Sequence, residues 1–376
     1  MRGSYHLAGG GGGPLLTGGG RPMQIARMTL LFEEGTKPIE TVGGDLVAFV
    51  GRAAQGPCMD PRLCTSLGQY AQIFGEAGEG YLWHAVQGFF ANGGEKCYVV
   101  CLDAGGSAPD WIGGLRALGK HADETLSLVA FPGLVDPAQQ SAVAKHLDEH
   151  RAWFGLLDGP AARPADGLAA VPVPEPTAWA ALFYPWVSVH DPVEGAREVP
   201  PCGHVAGVVA RRQRESGLES SPAGQLVRGV LGVSDRFDEQ EAKKHLTPRR
   251  VNPILDVKGK GYHLWGEATL APDERLRALT MARRHLLLLR SIEIGTRWVQ
   301  KREDKPALRE RLREEVETYL ERVRVSGALP GADAAAAYAV DAAPRPDDPA
   351  GALTFRVSLS AGRGDKIEYV LRQARP

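Results

Sequence analysis

The chain has 376 residues, a formal net charge of -1 and five cysteines. That length can bury a sizeable core in two or three domains, and the charge excludes a global pull toward nucleic acid or acidic lipid. An odd, scattered set of cysteines argues against a disulfide framework and for a reducing compartment.

Residues 1–27 hold glycine runs at 9–13 and 18–20, a composition that cannot offset its ordering entropy by burial. The expectation is a flexible leader. It lacks the apolar segment of a secretory signal, and no Gly-Lys-Ser/Thr follows to make it a phosphate loop. Met28, Leu30, Leu31 and Phe32 belong to a short extended stretch, cut off by Gly35 and Pro38, that reads as an isolated strand needing a partner. Strands are then predicted at 45–51, 96–102, 125–131 and 152–157. Helices alternate with them at 66–74, 81–91, 111–120 and 137–150, which gives an α/β fold with a mixed, mainly parallel sheet. Cys97 and Cys101 share one strand face and read as packed thiols, because no second pair stands at zinc spacing.

A surface connection rich in Pro, Ala and Gly spans 158–176. A strand at 178–184 follows, then Cys202-Gly203-His204 opening a helix at 205–214, a strand at 226–233 and a short helix at 238–246 capped by Asp238. The strand at 251–256 leads through Gly259-Lys260-Gly261 toward a helix at 273–298, with Pro272, Asp273 and Glu274 as its start signal. The run His285-Leu286-Leu287-Leu288-Leu289 is apolar all round, so this helix is expected to be buried on several sides. Arg283, Arg284, Arg290 and Glu293 break it well short of the roughly 18 uncharged residues a membrane span needs. The helix at 304–324 carries an apolar stripe of Leu308, Leu312, Val316, Tyr319, Leu320 and Val323 opposite a face of Arg and Glu. Two alternating strands, 353–359 and 366–372, close the chain. Arg363-Gly364-Asp365 between them spells an integrin-binding tripeptide, but three-residue motifs recur by chance and a turn is expected here.

Four segments carry a resemblance. They are Val47-Ala48-Phe49-Val50-Gly51 with Gly56-Pro57; Gly88-Phe89-Phe90-Ala91-Asn92-Gly93-Gly94; Ala181-Leu182-Phe183-Tyr184-Pro185-Trp186 followed by Pro200-Pro201-Cys202-Gly203-His204-Val205-Ala206-Gly207; and the stretch 250–298 with Gly259-Lys260-Gly261 and Trp265-Gly266. In this order they resemble the contractile tail sheath proteins, which build the outer cylinder of phage tails and related bacterial injection systems. The resemblance implies a helical homopolymer around an inner tube protein, joined by baseplate and terminal cap proteins, in the bacterial cytoplasm or a virion tail. It implies neither cofactor nor metal, and neither nucleic acid nor membrane insertion.

The expected organisation is a leader and arm strand at 1–35, an N-terminal α/β domain at 36–250, a smaller α+β C-terminal domain at 251–361 facing the tube, and a C-terminal arm strand at 362–376. Tethered terminal strands suit addition to a neighbour's sheet, in a head-to-tail contact that generates filaments. Met28, Leu30, Leu31, Phe32, Ile367, Tyr369 and Leu371 are therefore the candidate strand-exchange residues, with the strand 366–372 pairing outside its own subunit rather than in a hairpin. The charge near the inner domain makes Lys258, Lys260, Arg309 and Arg313 the candidate tube contacts. The competing class is an α/β enzyme, such as a thiol hydrolase using Cys202 and His204. A third is an adhesin using the Arg-Gly-Asp turn, which would need export.

Overall fold

The first strand along the described chain, β1 (Leu46–Gly51), is buried at all six positions, as a central strand covered on both faces must be. Phe49 meets Phe89 edge to face at 5.5 Å, while Val50 points at Gly114 on the opposite side. This computed structural model describes residues 37–78, 80–102, 109–121, 125–362 and 364–374.

After β1 come β2 (Arg62–Cys64), α1 (Leu67–Phe74), α2 (Leu82–Ala91), β3 (Cys97–Cys101), α3 (Trp111–His121), β4 (Leu126–Ala130), α4 (Pro137–His150), β5 (Phe154–Asp158) and β6 (Ala180–Tyr184). The alternation expected from the sequence is thus present. Ser66 and Asp136 cap α1 and α4 by accepting the amides of Gln69 and Gln139, satisfying donors a helix start leaves open. A hairpin of β7 (Val187–Asp191) and β8 (Gly195–Val199) follows, which the sequence did not suggest, and then α5 (Cys202–Ser216). β9 (Val230–Val233) completes a small antiparallel sheet in the order β8-β7-β9. Asp238 and Glu241 form a reciprocal capping box at α6 (Glu239–Glu241). β10 (Val251–Val257) and β11 (Gly261–Leu264) follow.

Among the described residues the large sheet has eight strands in the order β11-β10-β6-β5-β4-β1-β3-β2, parallel except for its two outermost strands. β10 pairs in parallel with β6, so the expected boundary at residue 250 cuts through a continuous sheet. Pairing supplies the reason: the buried run Val251–Leu255 has its hydrogen-bonding partner upstream.

The remainder packs around one helix. Asp273 starts only a short 3-10 turn at Glu274–Leu276, and α7 (Leu279–Gly295) begins after an extended Ala278. The expected start at 273 is therefore too early, because Thr269 and Glu267 bond to Leu276 and Leu279 on either side of the extended Ala278, which interrupts the helical path. α8 (Pro306–Val325) buries Leu312, Val316, Tyr319, Leu320 and Val323 of the predicted stripe, with its first member, Leu308, half-buried. Then come α9 (Ala334–Ala337), β12 (Tyr338–Asp341), β13 (Ala352–Gly362) and β14 (Asp365–Ala374), forming an antiparallel sheet in the order β12-β13-β14.

An irregular segment ties the two parts together. Val42 N–H donates to Ser291 Oγ at 2.9 Å, Thr41 and Tyr319 hydroxyls meet at 3.2 Å, and Arg283 on α7 donates to Gly44 O and the Gln213 side chain. Ile39 lies under Gly295, where an added Cβ would stand 2.7 Å from it. No helix among the described residues is long and apolar enough to cross a membrane.

Candidate assembly surfaces and the rejected catalytic pair

The Cys202–His204 pair lies at the start of α5, where this helix crosses α2. An added Cβ at Gly203 would stand 2.3 Å from the Ala85 backbone, and one at Gly207 would stand 2.4 Å from Phe89 O. Both glycines are thus required by the close approach of two helices.

Cys202 is fully buried, and its N–H donates to Asp158 Oδ1 at 2.8 Å. Burial, with the Asp158 carboxyl beside it, pushes its thiol well above the usual range. His204 is 2% exposed with no partner at Nδ1, and burial together with nearby His84 lowers it to about 4. A nucleophilic cysteine needs a lowered thiol pKa and a base poised near neutrality. This pair has neither, so the geometry gives the thiol-hydrolase alternative no support. His204 instead packs on α2 at Gly88.

Three other buried groups are structural in the same sense. His84 Nε2 donates to Asp191 Oδ2 at 2.7 Å, with both side chains essentially inaccessible. Burial lowers the pKa of His84, against the Asp191 hydrogen bond that raises it. Burial would raise Asp191, but the amides of Glu194 and Val193 and the His84 donor outweigh it and hold the carboxylate at about 2. Asp158 has no partner at Oδ2 and is raised to about 7 by burial, against the Cys202 hydrogen bond.

The terminal-strand expectations come out differently at the two ends. Met28, Leu30, Leu31 and Phe32 lie outside the described residues. The strand 366–372, expected to leave its own subunit, instead forms the hairpin: β14 pairs with β13 from Ala352↔Ala374 to Gly362↔Asp365. The physical reason is a set of anchors to distant helices. Tyr369 O–H donates to His285 Nδ1 at 2.7 Å while His285 Nε2 donates to Ser360 O at 3.0 Å. Gln373 Nε2 donates to Glu293 O and Thr296 Oγ1 and its Oε1 accepts from Gln300. Ile367 and Leu371 join Tyr369 in packing toward the core, and Glu368, Val370 and Arg372 face outward. The outer edge of β14 has no strand partner among the described residues.

The four candidate tube contacts also separate. Lys258 and Lys260 are exposed in the β10–β11 turn at the large sheet's edge. Arg313 pairs with Glu310 and Glu317 on the surface of α8. Arg309 is a correction: its side chain is 12% exposed, binds Asp304 through Nε and Nη2, and donates through Nη1 to Ala342 O at 2.6 Å and Thr354 O at 3.1 Å. Its donors clamp the helix start to the small sheet and do not point at a partner.

No protein-family model matches the sequence. The fold is similar to the helical sheath of the anti-feeding prophage in its contracted state, with a TM-score of 0.67 at 23% identity over 93% of this chain and 96% of that one. The contracted sheath complex of PVC, an extracellular contractile injection system, gives 0.67 at 20% identity over 92% and 94%. A sheath tail protein from Listeria innocua gives 0.65 at 11% identity over 89% and 96%. The chain has the fold of the contractile sheath proteins. In sequence it resembles a putative prophage major tail sheath protein of Pseudomonas aeruginosa (strain UCBPP-PA14), 28% identical over 260 residues, which cover 63% of this chain and 66% of that protein. That match spans just under two thirds of the relative's own length. The resemblance read from the four motifs is thereby borne out, as is the mixed α/β fold class.

Proposed function

We propose that the chain is the structural subunit of a contractile sheath, polymerising helically around an inner tube and contracting to drive the tube through a target envelope. The observation that carries this reading is the end-to-end fold similarity to sheath proteins, covering more than nine-tenths of this chain and of the anti-feeding prophage sheath chain. A structural role without catalysis agrees with the buried, raised thiol of Cys202. The partners are further copies of the chain, an inner tube protein, a baseplate and a terminal cap, in a particle built in the bacterial cytoplasm or forming a virion tail.

In this reading the outer edge of β14 receives a neighbour's strand, with Met28, Leu30, Leu31 and Phe32 as its residues. Main-chain hydrogen bonds of an added strand hold while tethers flex. Lys258, Lys260 and Arg313 contact the tube by many weak charge contacts that steer assembly. Expression with the cognate tube protein, followed by negative-stain electron microscopy, tests the proposal. Cylinders are expected, and a small discrete oligomer would overturn it. Proline at alternate positions of β14 tests the edge. Where the amide points to β13, the hairpin breaks; where it points outward, the hairpin folds and only cylinder formation is lost. Normal cylinders from every folded variant would place the neighbour's strand elsewhere.

A further inference from the structure

Helix α4 carries a feature that neither the sheath reading nor the sequence motifs used above includes. Its last turns read His146-Leu147-Asp148-Glu149-His150, two histidines one helical turn apart, and residues at that spacing are neighbours on one face. Their rings are stacked, with centroids 4.0 Å apart and planes 23° from parallel.

The tautomer is prepared as well. His150 Nδ1 lies 2.9 Å from His146 O, so Nδ1–H donates to the carbonyl and the Nε2 lone pair is left toward solvent. Metal-bound histidines characteristically donate their second ring N–H in this way, which sets both tautomer and ring orientation. The platform is rigid: Asp136 caps the helix start, Pro137 occupies its first turn, and Gln140, Val143, Ala144 and Leu147 are buried beneath.

We propose that His146 and His150 form a two-imidazole site for a borderline divalent transition ion such as Zn2+ or Ni2+. Neutral imidazole suits these ions. Two nitrogens at roughly 2.0–2.1 Å from one tetrahedral ion stand about 3.3 Å apart, so the two rings, already neighbours with centroids 4.0 Å apart, chelate by splaying out of the stack until both in-plane lone pairs converge on the ion. Paired histidines with an intervening glutamate on a helix, in the order His-x-x-Glu-His, serve zinc in one class of metallopeptidase. Here the geometry stops at binding. Glu149 is exposed, and no group of three His, Cys, Asp or Glu residues among the described ones could hold an ion. Water completes the coordination shell of an isolated subunit, and no hydrolysis is proposed.

The test uses the full chain, stripped with a chelator and titrated with Zn2+ and separately Ni2+ by calorimetry. The variants are His146→Gln, His150→Gln and Glu149→Gln. The expected result is one bound equivalent that weakens tenfold or more in each histidine variant and is unchanged in Glu149→Gln. Exposed His150 can be replaced without touching the core, so that variant keeps the test decisive should His146→Gln fold poorly. Unchanged binding in His150→Gln, or no binding by the unsubstituted chain, overturns the site. A loss in Glu149→Gln as large as in His150→Gln overturns the two-imidazole assignment in favour of a three-donor one.

Discussion

The two sheets manage their edges in opposite ways. In the eight-stranded sheet β11 is covered by the segment around Gln225 and Val227, which exchanges backbone hydrogen bonds with Leu264 and Tyr262, and β2 at the other end is only three residues long. In the three-stranded sheet β14 is ten residues long with its outer edge open among the described residues. Unpaired edges are templates for other chains, and proteins normally shorten or cover them. The contrast separates a closed region that supplies the fold from one whose open edge is suited to receiving a partner.

The largest expected effect comes from removing residues 363–376. Without Tyr369 and Gln373 the small sheet loses the β14 anchors to α7 and keeps the Ser360 contact with His285, and Leu353, Phe355, Val357 and Leu359 lose their cover. This reverses the expectation for an independent arm. Limited proteolysis should show residues 338–362 becoming labile while the large sheet persists. If β12 and β13 stay protected, the hairpin is not part of its own core.

In the closed region, Gly203→Val forces a side chain into the Ala85 backbone and should cost about 3 kcal/mol or more, by the overpacking penalty, in urea unfolding. A cost under 1 kcal/mol would mean that the helix crossing can open. Arg309→Ala should cost about 2–3 kcal/mol, since charged hydrogen bonds to Asp304, Ala342 and Thr354 are lost. Arg313→Ala, on the same helix, should cost far less, as loss of an exposed pair does. Equal costs would erase the distinction between clamp and surface charge.

Acid should act on the open region first. Burial lowers His285 to about 4, so the unfolded chain binds more protons between that value and the ordinary histidine range. Stability is fully present above about 6.5 and falls as pH drops toward 4. At pH 5.5 this amounts to about 1.4 kcal/mol, or tenfold faster amide exchange in β13 and β14 than the intrinsic rate change accounts for. In the large-sheet region His84 and His204 act in the same direction, but Asp158, raised to about 7, gains stability as pH falls through that window and opposes them. Faster loss of protection in β4 and β5 than in β13 and β14 would invert this order. The smallest effect is expected for Lys258→Glu with Lys260→Glu, within about 0.5 kcal/mol by calorimetric melting, so any failure to form cylinders would be a surface effect.

Much of this was legible beforehand because it is local. Apolar runs at 45–51, 125–131 and 178–184 marked the buried strands, and the stripe from Leu308 to Val323 marked the buried face of α8. The charged side chains were harder to place. Arg309 and Arg313 differ by one helical turn in sequence, yet Ala342 and Thr354 claim the first and nothing in the local pattern says so.

Periodicity and turn residues by themselves determined most of the alternating helices and strands and that the sheet is mainly parallel, since each residue's neighbours in sequence set its face, but not the β7–β8 hairpin or the start of α7. The tertiary structure alone decided that β10 extends the large sheet, that Gly203 and Gly207 lie at a helix crossing, and that β14 folds back onto its own chain. Those outcomes depend on partners far along the chain, such as His285 for Tyr369 and Ala85 for Gly203, whose proximity no local pattern encodes.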